Sequence, residues 1–461
     1  MPRRRSTGCI PCKLRRKKCD ERKPTCVACA RNVLLCAWDS GSHTSRPHNS
    51  DDRVSRTSQQ PTRLVPASKS ANPENVALCV APALHPQLAN AKTNFLYSFF
   101  YSRAAQTLSI KDGLGNPFIH VLMPLAAASD IVFQAMIAFS GVMYQQQHSA
   151  SFAQATWEHY AQAIRSLKHA LTLHVEHQAD RGTELLATVL LLISLEVSKS
   201  DSDGHAFCHL QACRELVSGA FAYCKDSQLL GFLAEHYLYI LSLLPTSSME
   251  SPDMIEGDIE FAFQTLVNNA VPATGVLCGC APQMFRTIPK ATEVSRRLYD
   301  EFTSEAGSSV QTLHEHHILY NYIQSWVPEG ADKENSAIAR VYQKALLVLL
   351  SQADPGTSDN PETEVLVANI VSLLRNIPVQ SSTTTVLAWP LATVAPCVKS
   401  PADQAFILRY LGAVVQKYGF ENHRQTERLL QLIWSRQDLQ EQGPYCVPRA
   451  MEAQGFRFML C

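Results

Sequence analysis

The sequence predicts a mainly α-helical protein with a small cysteine-rich N-terminal module, a disordered linker and a large all-helical body. Three observations carry that reading. Six cysteines recur at repeated spacing between Cys9 and Cys36, no aromatic residue occurs between Trp38 and Phe95, and beyond Asn90 apolar residues return at three- and four-residue steps. The boundaries expected are 1–40 for the module, 41–90 for the linker and 91–461 for the body. A chain of 461 residues is too long for one core at about 150 residues per domain.

Charge divides the chain in the same way. Residues 1–40 hold eleven of the 41 Lys and Arg and three of the 41 Asp and Glu, a balance of +8, so the remainder of this neutral chain carries −8. A basic head on an acidic body points to a polyanion-binding module joined to a solvated domain. The opening MPRRRSTGC has no apolar run behind its arginines and is not a secretory signal. The longest apolar stretch, Leu185 to Leu195, is shorter than the ~20 residues a membrane span needs, so it reads as a buried helix, and no membrane partner is expected. An intracellular protein keeps its thiols reduced. The nine cysteines outside the module, Cys79, Cys224, Cys397 and Cys461 among them, then read as small buried hydrophobes or spectators.

In the module, Cys9, Cys12, Cys19, Cys26, Cys29 and Cys36 spell C-x2-C-x6-C twice. Thiolates at C-x2-C spacing close on one tetrahedral zinc. Two such ions need eight metal–sulfur bonds, so six thiolates suffice only if two of them bridge. The repeat nominates the same position in each unit, Cys9 and Cys26. One ion takes Cys9, Cys12, Cys19 and Cys26, and the other Cys26, Cys29, Cys36 and Cys9. Three disulfides, or one zinc with two spare thiols, are the alternative readings, and neither accounts for the doubled spacing. So small a module buries too little apolar surface to fold alone, and the two Zn(2+) ions are expected to supply most of its folding free energy.

On this spacing, the basic run inside the first unit and Pro24 in the joint, the segment resembles the DNA-binding domain of fungal Zn2Cys6 binuclear-cluster transcription factors. The resemblance implies a nuclear, sequence-specific regulator of RNA polymerase II genes that reads CGG-like triplets of double-stranded DNA through a helix of the first unit. Here that helix starts near Cys12. The resemblance puts base reading on Arg15 and Arg16, Arg16 foremost. Lys13, Lys17, Lys18 and the arm Arg3, Arg4 and Arg5 are assigned to phosphate. The second unit's counterpart, Ala30 to Leu35, has one Arg and a Val-Leu-Leu run, so it is expected to pack rather than to touch DNA. A nuclear-localisation patch is the plainer reading of the same basic run.

From Ser40 to about Asn90, Ser, Thr, Asn, Gln and Pro dominate without periodicity, and such a segment cannot offset its ordering entropy. It holds no a/d heptad, so a homodimer, if formed, is assigned to the helical body.

The body opens with Ile131, Ala135, Phe139 and Val142 on one helical face behind Ser129 or Asp130, followed by a second stripe, Trp157, Tyr160, Ile164, Leu167 and Leu171. Further helices are expected at 184–199, 205–222, 227–244, 285–303, 310–326, 334–352, 362–376 and 402–438, with loops at Pro245–Gly257 and Asp354–Pro361. Asn116-Pro117-Phe118, Leu122 to Ala126, His209-Leu210, Trp389-Pro390-Leu391 and the closing Trp434, Met451 and Gly455 make the body similar to the fungal-specific transcription-factor regulatory domain. It departs from the usual pattern at Ala206-Phe207 and Ala395-Pro396. The resemblance implies regulation and contact with co-regulator proteins. The chain read here ends at Cys461 soon after Gly455-Phe456, and no acidic activation tail is expected.

Catalytic motifs fail at named residues. Gly113-x-Gly115 meets Phe118 where a third glycine is needed, and His314-Glu315 meets Ile318 where a zinc protease has its second His, leaving His316 and His317 to a solvated face. Cys278-Gly-Cys280 is too tight for a knuckle or a redox pair, and neither a nucleophile elbow nor a Walker loop is present. The expectation is no enzyme. Two rivals to DNA reading remain: a ligand-sensing regulator whose body binds a small molecule, and a metal-dependent protein-interaction module.

Overall fold

The computed structural model describes residues 18–23, 26–28, 85–111, 115–148, 150–177, 181–200, 204–247, 255–269, 275–304, 307–329, 332–355, 360–456 and 458–460. The chain forms two compact units, Met1–Phe95 and Leu96–Cys461. Among the described residues every regular element is helical. In the first unit, Pro86–Ala89 makes a 3-10 turn capped by His85, within the segment expected to be disordered to Asn90. Residues 41–84 of that linker lie outside the described residues. Helix α1 (Ala91–Phe99) then runs into the second unit.

The second unit is a stack of helices in two layers. The inner layer contains α3 (Asp130–Gln147), α5 (Gly182–Ser198), α7 (Ser227–Leu243), α9 (Pro282–Thr303) and α11 (Lys333–Ser351), each packed on the next. Short α2 (Met123–Ala128) leads into α3. The outer helices α4 (Ala153–His177), α6 (His205–Tyr223), α8 (Ile255–Asn268), α10 (Val310–Ser325) and α12 (Pro361–Arg375) each pack on the inner helix before them. The C-terminal part adds α13 (Ala388–Val394) on α11, then α14 (Pro401–Tyr418), α15 (Glu421–Ser435), α16 (Gln437–Gln440) and α17 (Cys446–Ala453).

A helix with neighbours on all sides needs apolar residues all round, as α3 and α7 show, whereas α9 keeps a wet face with Arg286, Lys290, Glu293 and Arg297. Helix α3 is buried continuously from Ile131 to Met143, and α7 from Leu229 to Leu243. The four-residue stripe expected on α3 is thus only a quarter-view of a helix without a wet face. Ser227–Ser247 is long and apolar enough to cross a membrane, yet that whole window is buried inside the protein, as a core helix is.

Outer helices bury one face each. On α4 the buried positions are Ala155, Thr156, Ala163 and Leu167, a face rotated from the expected stripe. Trp157 is exposed, with Lys199 over its ring, and the Tyr160 hydroxyl donates to Glu196 of α5 at 2.7 Å. Small side chains win the contact because helices approach closely only where they are small.

Seven of the expected helices, from 184–199 through 362–376, occur within three residues of their expected ends. Asp226, Ser309, Asp332 and Asn360 accept first-turn N–H groups and fix those starts. The stretch 402–438 is not one helix. Gly419 closes α14 with φ +76°, which an L side chain resists, and an added Cβ would meet Gln147 Cγ at 2.9 Å. Nor is 245–257 all loop, since α8 begins at Ile255; its face of Ile259, Ala262, Phe263 and Leu266 has the helical spacing that marks it.

One buried carboxylate pins the middle of the stack. Glu235, on α7, has its Oε1 2.8 Å from each of the N–H donors of Val276, Leu277 and Cys278, and its Oε2 2.7 Å from that of Gly275. Burial pushes this carboxyl up, and the four donors oppose the push. Gly275 and Gly279 both hold positive φ in the turn, and a Cβ on Gly279 would come 3.1 Å from Ile110 Cδ1. Ile110 N–H in turn donates to Val276 O at 2.9 Å, and Ser382 Oγ donates to Ile110 O at 3.2 Å. The Cys278-Gly-Cys280 motif therefore serves a turn that wraps a carboxylate.

Two histidines are buried without charge. Desolvation lowers His236 to about 3, and lowers His423 to about 4 against the pull of the Thr385 carbonyl. His316 is half-buried instead of solvated, its Nε2 3.0 Å from Leu350 O, while His317 is exposed.

Glu235→Leu strands three buried N–H groups and the half-buried one of Gly275 and is expected to cost roughly 3 kcal/mol or more, whereas Glu235→Gln keeps the oxygen that serves the three buried ones and costs less. Urea unfolding of the two variants checks the order. Acid supplies a second test. The unfolded chain protonates both histidines near 6.5, the folded chain only near 3 and 4, so the unfolded state binds more protons between those values and stability falls as pH drops through that window. The slope is about 1.4 kcal/mol per pH unit for each histidine, and unfolding midpoints of His423→Leu should show one histidine's share gone.

Candidate metal centre

Cys19, Asp20 and Cys26 meet at one point in the first unit: the two sulfurs and a carboxylate oxygen all lie within 4.8 Å of one another. Cys26 is fully buried and Cys19 half-buried. Local backbone explains the convergence. Glu21 has φ +57°, which turns the chain back so that its N–H donates to Cys19 Sγ at 3.4 Å. Seven residues on, Val27 N–H donates to Asp20 Oδ1 at 3.0 Å, which ties the two cysteine positions together.

This arrangement fits a zinc-thiolate site. Soft sulfurs converge, one is shielded from water, one receives a backbone N–H, and a carboxylate stands beside both to orient the backbone around them. Cys19 and Cys26 would hold the ion, which supplies a covalent-strength crosslink between chain segments that have little core of their own. Cys26 is also one of the two positions nominated to bridge. Asp20 was not singled out from sequence; its signal is an acidic residue directly after a ligand cysteine, a place from which a carboxylate reaches the outer shell of the metal.

Of the other expected site residues, Lys18 is described and exposed, as are Arg22 and Lys23 beside it. Cys9, Cys12, Cys29, Cys36, Arg3, Arg4, Arg5, Lys13, Arg15, Arg16 and Lys17 lie outside the described residues, as does Ala30 to Leu35.

The family described as Fungal specific transcription factor domain matches residues 95–461. The chain belongs to this family. A second family, described as Fungal Zn(2)-Cys(6) binuclear cluster domain, matches residues 7–44, which take in all six clustered cysteines. This fungal transcription factor thus has a zinc-binding, DNA-binding domain ahead of its helical body. It is 25% identical over 151 residues to Transcriptional activator protein UGA3 of Saccharomyces cerevisiae, an alignment covering 29% of this chain and 28% of that protein. It is 33% identical over 108 residues to Pestheic acid cluster transcriptional regulator 3 of Pestalotiopsis fici, covering 21% and 18%. Over 38 residues it is 55% identical to Transcriptional regulatory protein pro1 of Neurospora crassa, covering 8% and 6%. The chain thus spans less than a third of the length of each of these relatives. No solved structure matches it.

If Asp20 orients the cluster backbone, Asp20→Ala should weaken zinc binding roughly 10- to 100-fold, as loss of an outer-shell partner does. Asp20→Asn retains an oxygen for the Val27 N–H and should stay close to wild type. Competition against a chromophoric chelator measures both.

Proposed function

We propose that this transcription factor acts in the nucleus as a sequence-specific regulator of RNA polymerase II genes, reading CGG-like triplets through the first cysteine unit. The observation that carries the reading is the asymmetry of a duplicated unit: the cysteine spacing repeats, but the basic run Lys13 to Lys18 occurs only in the first copy. The exposed position of Lys18, next to Cys19, agrees with it.

In this reading Cys9, Cys12, Cys19, Cys26, Cys29 and Cys36 hold two zinc ions, bridged by Cys9 and Cys26. The metal fixes the path of the chain, and the side chains do the reading. Arg16, with Arg15, presents a guanidinium fork to guanine O6 and N7 in the major groove, where two parallel hydrogen bonds distinguish guanine from the other bases. Lys13, Lys17, Lys18 and Arg3 to Arg5 neutralise phosphates, giving affinity and speed of encounter without sequence information. The module occupies 1–40, the linker 41–90 sets reach, and the body from 91 onward governs self-association and co-regulator contact. Self-association is assigned to the body because the linker carries no heptad.

Arg16→Ala in the full chain should lose roughly 1–3 kcal/mol on a selected duplex and relax the preference at one base, with little change on random DNA. Equal loss on both would place Arg16 on phosphate. Binding that ignores salt would favour the rival protein-interaction module.

A further inference from the structure

We infer that the pocket between α5, α7, the Ser382–Val386 turn and α15 is a binding site for a small uncharged molecule bearing a hydroxyl or primary amide. The cavity measures about 60 Å³. At 10–15 Å³ of such volume per water, that is room for roughly four to six non-hydrogen atoms. Its walls are apolar at Ile193, Val197, Ile240, Val386 and Phe420, and none of its lining residues is Asp, Glu, Lys or Arg. An ion entering it would find no counter-charge and would lose its hydration.

What points to a ligand is a polar group left open in that wall. His423 is 1% exposed, its Nδ1 lies 3.2 Å from Asn422 Oδ1 and the Thr385 carbonyl bears on the ring, yet its Nε2 makes no hydrogen bond of ordinary geometry. A buried polar atom in that condition is costly, and a sequence selected for packing alone would place Leu or Phe there. His236, in the same wall, is by contrast engaged. Ser194 Oγ gives its proton to Leu190 O at 3.0 Å, so His236 Nε2, 2.9 Å away, is the donor to Ser194. A hydroxyl or primary amide can give or take a hydrogen bond and so suits Nε2 of His423 in either tautomer. Both histidines are neutral at pH 7, in keeping with an uncharged guest.

The site's position gives it a consequence. Four elements contribute walls, among them α7, whose Glu235 holds the Gly275–Cys278 turn, and Leu277 of that turn lines the cavity too. A guest that contacts all of them binds only the packed body and stabilises it by mass action. This inference does not rest on how the N-terminal module reads DNA.

The test uses the zinc-loaded full chain with acetamide and propan-1-ol as probes, and acetate as the charged counterpart of acetamide. Saturation-transfer NMR and thermal unfolding should show saturable binding and a raised Tm with acetamide or propan-1-ol and none with acetate. His423→Leu should weaken binding roughly tenfold or more while melting cooperatively, at or above the wild-type temperature when no probe is present. Val197→Phe, which fills the cavity and leaves His423 alone, should block the probes as well and decides the matter should His423→Leu fail to fold. Absence of saturable binding to the wild type, or equal binding to wild type and both variants, would overturn the proposal.

Discussion

A carboxylate placed in the centre of an apolar helix is among the least favourable things a core can contain, and the helical body is organised around one. Glu235 lies on α7, a helix buried continuously through Leu229 to Leu243. It is tolerated because four consecutive N–H groups, Gly275 to Cys278, converge on its two oxygens. The converse holds equally: those N–H groups belong to a turn that would otherwise leave three buried donors and the half-buried one of Gly275 with nothing to accept them. Each side makes the other affordable. The turn also receives the Ile110 N–H on Val276, and Ser382 donates to Ile110, so segments far apart in sequence meet at this one charge.

The sequence reveals the parts of this design that are repetitive and hides those that depend on convergence. Helix periodicity and Ser, Asp and Asn caps give α5 through α12 nearly residue by residue, apart from α8. There Pro245 and Gly257 mark a loop, while the run Ile259, Ala262, Phe263 and Leu266 carries the helical spacing. The four-residue stripe on α3 understated burial, since a helix surrounded by neighbours has no polar face to mark its phase. On α4 the expected stripe is buried at Leu167 and half-buried at Tyr160, Ile164 and Leu171, but the contact is centred on Ala155, Thr156 and Ala163, which allow closer approach than the exposed Trp157 does. Gly419, read as a residue within a long helix, turned out to end it. Glu235, Gly275 and His423 gave no signal at all, as each acquires its meaning from residues forty or more positions away.

The candidate metal centre was legible for a different reason. The ligands of a zinc–thiolate cluster are cysteines, and their spacing must let the sulfurs meet, so the pattern survives in one dimension. Among the described residues Cys19 and Cys26 come together with Asp20. Asp20, which bonds Val27 across the same point, follows no such rule and emerges only from geometry. The same logic separates the two halves of the protein. Its basic head is assigned by the cysteine spacing to a metal-held core, while its body has an extensive apolar core of its own. Partition into the compact units Met1–Phe95 and Leu96–Cys461 agrees with that difference.

On the proposed reading zinc is the condition for DNA binding and irrelevant to the body's fold. Adding a strong chelator to the full chain while following duplex binding and amide hydrogen exchange together tests this most directly. Duplex affinity should collapse, while the Gly275, Val276, Leu277 and Cys278 amides remain as protected as in the zinc-loaded protein. DNA binding that survives chelation, or loss of protection at those four amides along with it, would contradict the account.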